Sequence, residues 1–478
     1  MAREEQEGGT MPATDPTTNS IAATLAAFVA DTPDDAIPAE VRTRAPHHML
    51  DAVGIALAST RYDFAHKTLT ALRGLAGEGP VPVIGMPASL PARDAATVNG
   101  LLCHGLDYDD THIGGVIHPT ASVMPAVLSA AAMTGADGRS VVSAYVLGVE
   151  VAARLGAVAR GGFHQVGFHP TGMIGVFGCA LAAGRLLGLT RAQLAAAQGI
   201  ALSMASGSLE FLEDGAWNKR LHPGWAAAAG ITAAALAREG FTGVTRPYEG
   251  RFGLFNAYLG KEAGRAELGI ATAGLGETWE LMATAIKPYP ACHFTHACVD
   301  AALELRRDGL DLARIRRIEA LVPEQVVKTV CEPEANKKRP SNSYDAQFSV
   351  PFLAAAALVR GRLTLAELEN DALGDAAILD IASKVSYRHD PDSPFPKAYS
   401  GELVITLDDG RELRHREHIN RGAADRPLSN AEIVDKYRGN AAMAVNETAA
   451  ARIADAVLGL DASPRAADSL SVLSPSVR

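Results

Sequence analysis

Between residues 104 and 120 the chain reads HGLDYDDTHIGGVIHPT, which places three histidines and three aspartates in one short stretch. Such a set can hold a metal, move a proton to or from a substrate, or simply hold its own members together. Its closing step, His118-Pro119, recurs at His169-Pro170 and His222-Pro223, each time ahead of small apolar residues. Proline is favoured at the first position of a helix and drives the residue before it out of α space. Each step therefore predicts a histidine at a helix start, where unpaired N–H groups and the helix dipole favour an anion. Two lysines sit in similar company, Lys219 in DGAWNKRLHPG and Lys287 in AIKPYPACHFTH. A lysine in a closed cleft pairs with a carboxylate or, if burial lowers its pKa, serves as an acid or base.

Each feature also has a plainer reading. A His-Pro step is usually structural, Asp109 and Asp110 can end one helix and cap the next, and an isolated lysine is usually solvated. Clustering weighs against that reading. Eight of the fourteen histidines fall in the segments 104–118, 164–169, 222 and 293–296. The metal reading is weaker still: HExxH is absent, and the His-Pro histidines are placed for anions rather than cations. No metal is expected.

These residues must be positioned by helices for most of the chain. NSIAATLAAFV, PAEVRTRAPHHMLDAVGIALAS and SVVSAYVLGVEVAARLGAVA carry apolar residues at helical spacing, and strand signals are nearly absent before residue 280. After that the texture changes. RIRRIEALVP, KVSYRHD and GELVITLDDGRELRHREHI show β-branched alternation, the last with an Asp-Asp-Gly hairpin turn. The expected fold is mainly α. A large all-helical domain is formed by both chain ends (20–282 and 423–478), and a smaller α+β lid domain (283–422) is inserted between them. Residues 1–19 read as a disordered tail. The cleft between two such bodies is a natural ligand site.

A length of 478 residues suits two domains, and 48% hydrophobic with 21% charged residues is ordinary for a globular chain. A net charge of −10 argues against a nucleic-acid partner and gives no membrane-surface signal. No signal peptide and no uninterrupted membrane-spanning apolar run is read. Five scattered cysteines without a CxxC pair imply reduced thiols, hence a cytoplasmic protein, and they remove the ligand pattern of an iron–sulfur hydro-lyase.

Five segments together resemble the MmgE/PrpD family: NGLLCHGLDYDDTHIGGVIHPTASVMPAVLSAA, GFHPTGMIGVFGCALAAGRLLGL, NKRLHPGWAAAAG, KPYPACHFTHACVDA and AQFSVPFLAAAALVRG. That family includes 2-methylcitrate dehydratases, cis-aconitate decarboxylase and iminodisuccinate epimerase. The resemblance runs from about residue 20 to 445, and it implies a homodimer, no metal or organic cofactor, and an active site between the domains. Matched motif by motif, it places the decarboxylase's site positions on Asp107, Thr111, His118, His169, Lys219 and Lys287. It also marks two departures: a histidine of that enzyme aligns with Cys292, with His293 as neighbour, and a tyrosine aligns near Val327.

The family reactions share one problem, the charge that builds beside a carboxylate when a proton or carbon dioxide leaves the adjacent carbon. Lys219, Lys287 and the helix starts suit its stabilisation. His118 is expected as the main acid/base, with Asp107 orienting a neighbour and Thr111 bonding substrate. His169 is expected as a second acid/base or a carboxylate ligand. Cys292, His293, Tyr289 and the loop SGSLEFLEDGAW are the expected specificity elements. The leading expectation is a hydro-lyase of a citrate-like tricarboxylate. A decarboxylase, an epimerase and a non-catalytic carboxylate-binding dimer are the alternatives.

Overall fold

The computed structural model describes residues 20–474 except Pro396, so the expected disordered tail lies outside the described residues. Six helices frame the first body: α1 (Ala39–Ser59), α2 (Ala92–His104), α3 (Pro119–Thr134), α4 (Gly138–Val158), α5 (Pro170–Leu186) and α6 (Asn218–Arg238). Helices α3 and α5 bury nearly every side chain, which is why their sequences are apolar on all faces rather than striped. Abundant alanine and glycine let these helices approach closely. A Cβ on Gly100 of α2 would lie 2.5 Å from the Cα of Gly224 in α6, so the two backbones cross where neither has a side chain.

Helix α4, read from the sequence as an ordinary helix, is buried on nearly all sides. By length and composition it could cross a membrane, but here it is an interior helix whose Glu150 and Arg154 pair at 2.6 Å. One helical turn brings that pair together and neutralises both charges inside the core.

The smaller core is built on helices α7 (His296–Arg307) and α8 (Val350–Arg360) and on four strands. These are β3 (Ile315–Val322), β4 (Val385–His389), β5 (Gly401–Leu407) and β6 (Glu412–Glu417), in the order β4-β3-β5-β6. Strand β3 pairs parallel with β4 and antiparallel with β5, and the β5–β6 hairpin turns at Asp408-Asp409-Gly410, with Gly410 at φ 83°. Two-residue strands β1 (Thr111–His112) and β2 (Thr284–Ala285) pair antiparallel and stitch the aspartate-rich loop to the start of the second half.

The chain then returns to the first body. Helix α9 (Asn430–Ala441) packs along α1, and Tyr437, Ile453 and Val457 enter the large core. Buried Asp51 of α1 holds Lys436 of α9 at 2.7 Å. The same ammonium donates to the Tyr108 carbonyl at 2.8 Å and lies 3.9 Å from the centre of its ring. The chain end thus anchors the loop that carries the candidate site.

Candidate active site

The loop after α2 is built around buried carboxylates. Asp107 adopts φ 50° and Val116 φ 53°, the latter an expensive conformation for a β-branched residue. The His112 N–H donates to the Ile117 carbonyl at 2.8 Å, folding the loop back so that Val116 faces the cleft. Asp110 is structural: its carboxylate accepts from His48 Nδ1 at 2.8 Å and from the backbone N–H of Thr120 at 3.2 Å, capping α3 from outside. Asp109 meets His104 Nδ1 at 2.7 Å.

Asp107 joins the two lysines. Lys219 Nζ lies 2.8 Å from Oδ2, and Lys287 Nζ lies 2.7 Å from Oδ1. Burial alone would raise the Asp107 pKa, but the two ammonium groups outweigh it and hold the carboxyl well below the usual range. Burial alone would lower Lys287, but Asp107 and Asp109 reverse that and its pKa rises. Lys287 therefore stays charged at neutral pH. One carboxylate against two ammonium groups leaves a net positive charge for a substrate carboxylate.

His118 and His169 stand at the N-termini of α3 and α5, each followed by proline at the first helical position. The His118 N–H donates to Thr171 Oγ1 at 3.1 Å and ties the two helix starts together. His118 Nδ1 lies 2.7 Å from the Asp110 carbonyl and 3.2 Å from Thr111 Oγ1. A carbonyl only accepts, so the hydrogen is assigned to Nδ1 and the Nε2 lone pair is free. Burial pushes His118 well below its ordinary pKa, against the opposing charge of Asp109 at 3.8 Å. At neutral pH it is a base.

The third His-Pro step departs from the expected pattern. Helix α6 begins at Asn218, just after the chain turns at Gly215 (φ 70°), so His222 lies inside the helix rather than at its start. Pro223 forgoes the one backbone bond that would reach the Lys219 carbonyl, which the extensive packing of α6 offsets. His222 instead reaches His169, Nδ1 to Nδ1, at 2.9 Å.

Asp107, Thr111, His118, His169, Lys219, Lys287, Cys292 and His293 all line one cleft between the two cores. Asn420 Nδ2 donates to His293 Nε2, which leaves the His293 hydrogen on Nδ1. Tyr289 does not belong to the site: its hydroxyl donates to Asp300 Oδ1 at 2.6 Å, held there because the two buried groups satisfy each other. From the SGSLEFLEDGAW loop, Leu209, Phe211 and Leu212 form one wall. Val327 packs in the smaller core, while Thr329 from the same turn and Tyr399 reach the cleft. Phe348, Thr329 and Tyr399 escaped the sequence reading. Phe348 lay within a quoted motif, but the other two carry no local signal. The cleft has a volume of about 60 Å³.

The profile of the MmgE/PrpD N-terminal domain matches residues 23–266, and that of the C-terminal domain matches residues 289–462. The chain belongs to the MmgE/PrpD family. Among its relatives is a cis-aconitate decarboxylase-like protein of Aspergillus oryzae, 27% identical over 95% of this chain and 97% of that protein. The cis-aconitate decarboxylase of Aspergillus terreus is 28% identical over 93% and 94%. That of Mus musculus is 29% identical over 83% and 82%.

Proposed function

We propose that this MmgE/PrpD protein is a lyase of citrate-like polycarboxylates that works by acid–base elimination of water. The observation that carries the reading is the juxtaposition of the Lys219–Asp107–Lys287 cluster with the free Nε2 of His118. A substrate carboxylate takes the cluster's surplus positive charge, and His118 Nε2 removes the proton from the adjacent carbon. Charge then builds on that carboxylate, where Lys219 and Lys287 stabilise it. The departing hydroxyl needs a proton. His169 supplies it from Nε2 as the hydrogen shared with His222 passes onto His169 Nδ1, and the half-buried His222 takes up a proton from solvent at its Nε2. The walls must part to admit the substrate, because ligand sites ordinarily run to about 300 Å³ and above.

A second reading, decarboxylation of cis-aconitate, is favoured by the relatives, which are so named over most of their length. The family resemblance sets Cys292 where the decarboxylase has a histidine, and that departure weighs against it. A homodimer is proposed as well. Trp217, Leu221 and Trp225 form an exposed stripe along α6, one turn apart, and a second copy of the chain would cover it.

Proton NMR in deuterated water with 2-methylcitrate, citrate, cis-aconitate and iminodisuccinate tests the proposal. A new alkene from 2-methylcitrate or citrate supports it. Carbon dioxide and itaconate from cis-aconitate would replace it with the second reading, and deuterium exchange without net change would mean epimerisation.

A further inference from the structure

His118 and His169, which line the cleft, meet a third imidazole, that of His104. Ring centres are 4.8 Å apart for His104 and His118, 5.6 Å for His104 and His169, and 6.0 Å for His118 and His169. One ligand nitrogen from each lies within 4.8 Å of the other two. In every ring Nδ1 is already engaged: His104 by the Asp109 carboxylate, His118 by the Asp110 carbonyl, His169 by His222. The remaining nitrogen is Nε2 in all three cases. Metal-ligating histidines have this disposition, one nitrogen fixed by a carboxylate or carbonyl so that the other presents its lone pair.

His104 separates this arrangement from an ordinary catalytic pair. Its side chain does not line the cleft, the elimination chemistry does not use it, and its Nε2 is buried without any partner among the described residues. An unmatched buried acceptor costs about 1–3 kcal/mol, a penalty that a bound cation would remove.

We propose that Nε2 of His104, His118 and His169 together bind one divalent cation of the zinc class. Three imidazoles and an open fourth position suit zinc, cobalt and nickel. The Asp109 carboxylate, 2.7 Å from His104 Nδ1, places a negative charge beside the three rings and offsets part of the positive charge of the Lys219–Asp107–Lys287 cluster. Binding releases the hydrogen on His169 Nε2 to solvent, the hydrogen shared with His222 passes to His169 Nδ1, and His222 takes up one at its Nε2 in exchange. Binding also occupies the lone pairs of His118 and His169, so the bound ion suppresses acid–base turnover. That last consequence rests on the proposed lyase reading, whereas the binding itself does not.

Titration of the chelator-stripped full chain with Co²⁺ tests the site directly. The expected result is one equivalent bound, with the visible absorption of tetrahedral cobalt, displaced by Zn²⁺. Asp109→Asn, which removes the partner of His104, weakens binding by roughly 10–100-fold, and His104→Gln weakens it further. Should His104→Gln fail to fold, His169→Gln gives the same binding readout. Absence of a tetrahedral cobalt spectrum in the wild type, or unchanged affinity in the variants that fold, would overturn the site. Turnover is then measured on protein carrying one equivalent of zinc, freed of excess ion because polycarboxylates chelate zinc themselves. Loss of turnover, reversed by a chelator, is expected. Full turnover at one bound equivalent would overturn the inhibitory role. Silence on every polycarboxylate would strike the lyase reading and leave the cobalt result standing.

Discussion

Lys287 and Asp107 meet twice: the lysine Nζ lies 2.7 Å from the Asp107 carboxylate and 2.9 Å from the backbone oxygen of the same residue. The lysine side chain is wholly buried, so these contacts and the chain's turn through φ 50° at Asp107 depend on each other. Asp107→Asn strands two buried ammonium groups and should cost about 3–5 kcal/mol. The carboxyl pKa is depressed in the fold, so this stabilisation is complete above the unfolded value near 3.9 and is lost as pH falls through the folded value. Chemical denaturation at neutral pH reads the loss directly. An unchanged midpoint would mean that the lysines find other partners.

Acid should unfold the protein well before its carboxylates protonate. Nine histidines among the described residues are held below their ordinary pKa, chiefly by burial. The unfolded chain takes up these protons near pH ~6.5 while the folded chain refuses them. Stability is therefore complete above that pH and declines as pH drops below it. Each histidine that stays neutral contributes a slope of up to about 1.4 kcal/mol per pH unit. Denaturant midpoints measured at intervals from pH 8 to 5 should fall steeply on the acid side. A flat profile would mean that the buried rings are protonated in the fold.

Much of this arrangement was legible in the chain. Helical spacing and the DDG turn announced a helical body and a sheet, because periodicity and turn chemistry are local. His-Pro steps marked the starts of α3 and α5 correctly for the same reason. His222 was misplaced because tertiary packing, not proline, decides where α6 begins. Three features had no local signal. Tyr399 reaches the cleft from a loop far along the chain, and Asp109 earns its role only through His104. The lone pair of His118 depends on a carbonyl eight residues earlier, which composition cannot reveal.

His118 should act as a base across the neutral range. Its pKa lies well below the ordinary value, so kcat/KM on the identified substrate should stay level from about pH 6.5 upward and fall only in more acid solution. His118→Asn should lower kcat by ~10²–10⁴-fold. An acid limb centred above pH 7 would assign the base elsewhere.

His222 should matter although it touches no substrate, because its Nδ1 shares a hydrogen with His169 Nδ1. His222→Ala removes that donor and should reduce kcat while leaving KM nearly unchanged. His222→Asn, whose side-chain amide can donate from the same region, should restore part of the rate. The discriminating measurement is the basic limb of the kcat–pH profile. It should move in the alanine variant and return in the asparagine variant, whereas a merely structural role would lower the rate without moving the limb.

The last prediction tests whether helix packing sets the site. Lys219 lies in the first turn of α6, and Asp107 follows closely on α2, so their 2.8 Å contact depends on how closely those helices cross. At the crossing, a Cβ on Gly224 would lie 2.1 Å from the Thr97 carbonyl oxygen, a backbone atom that cannot rotate away. Gly224→Ala must therefore push α6 from α2. Overpacking of this kind costs about 1–3 kcal/mol, and the shift would lengthen the Lys219–Asp107 contact. The variant should fold with a lowered midpoint and lose activity out of proportion to the folded fraction lost. Gly439→Ala in α9 is the control for helix composition, since a Cβ there meets nothing within 4 Å. If both variants lose stability equally and Gly224→Ala keeps full kcat/KM, the crossing does not control the distance between Lys219 and Asp107.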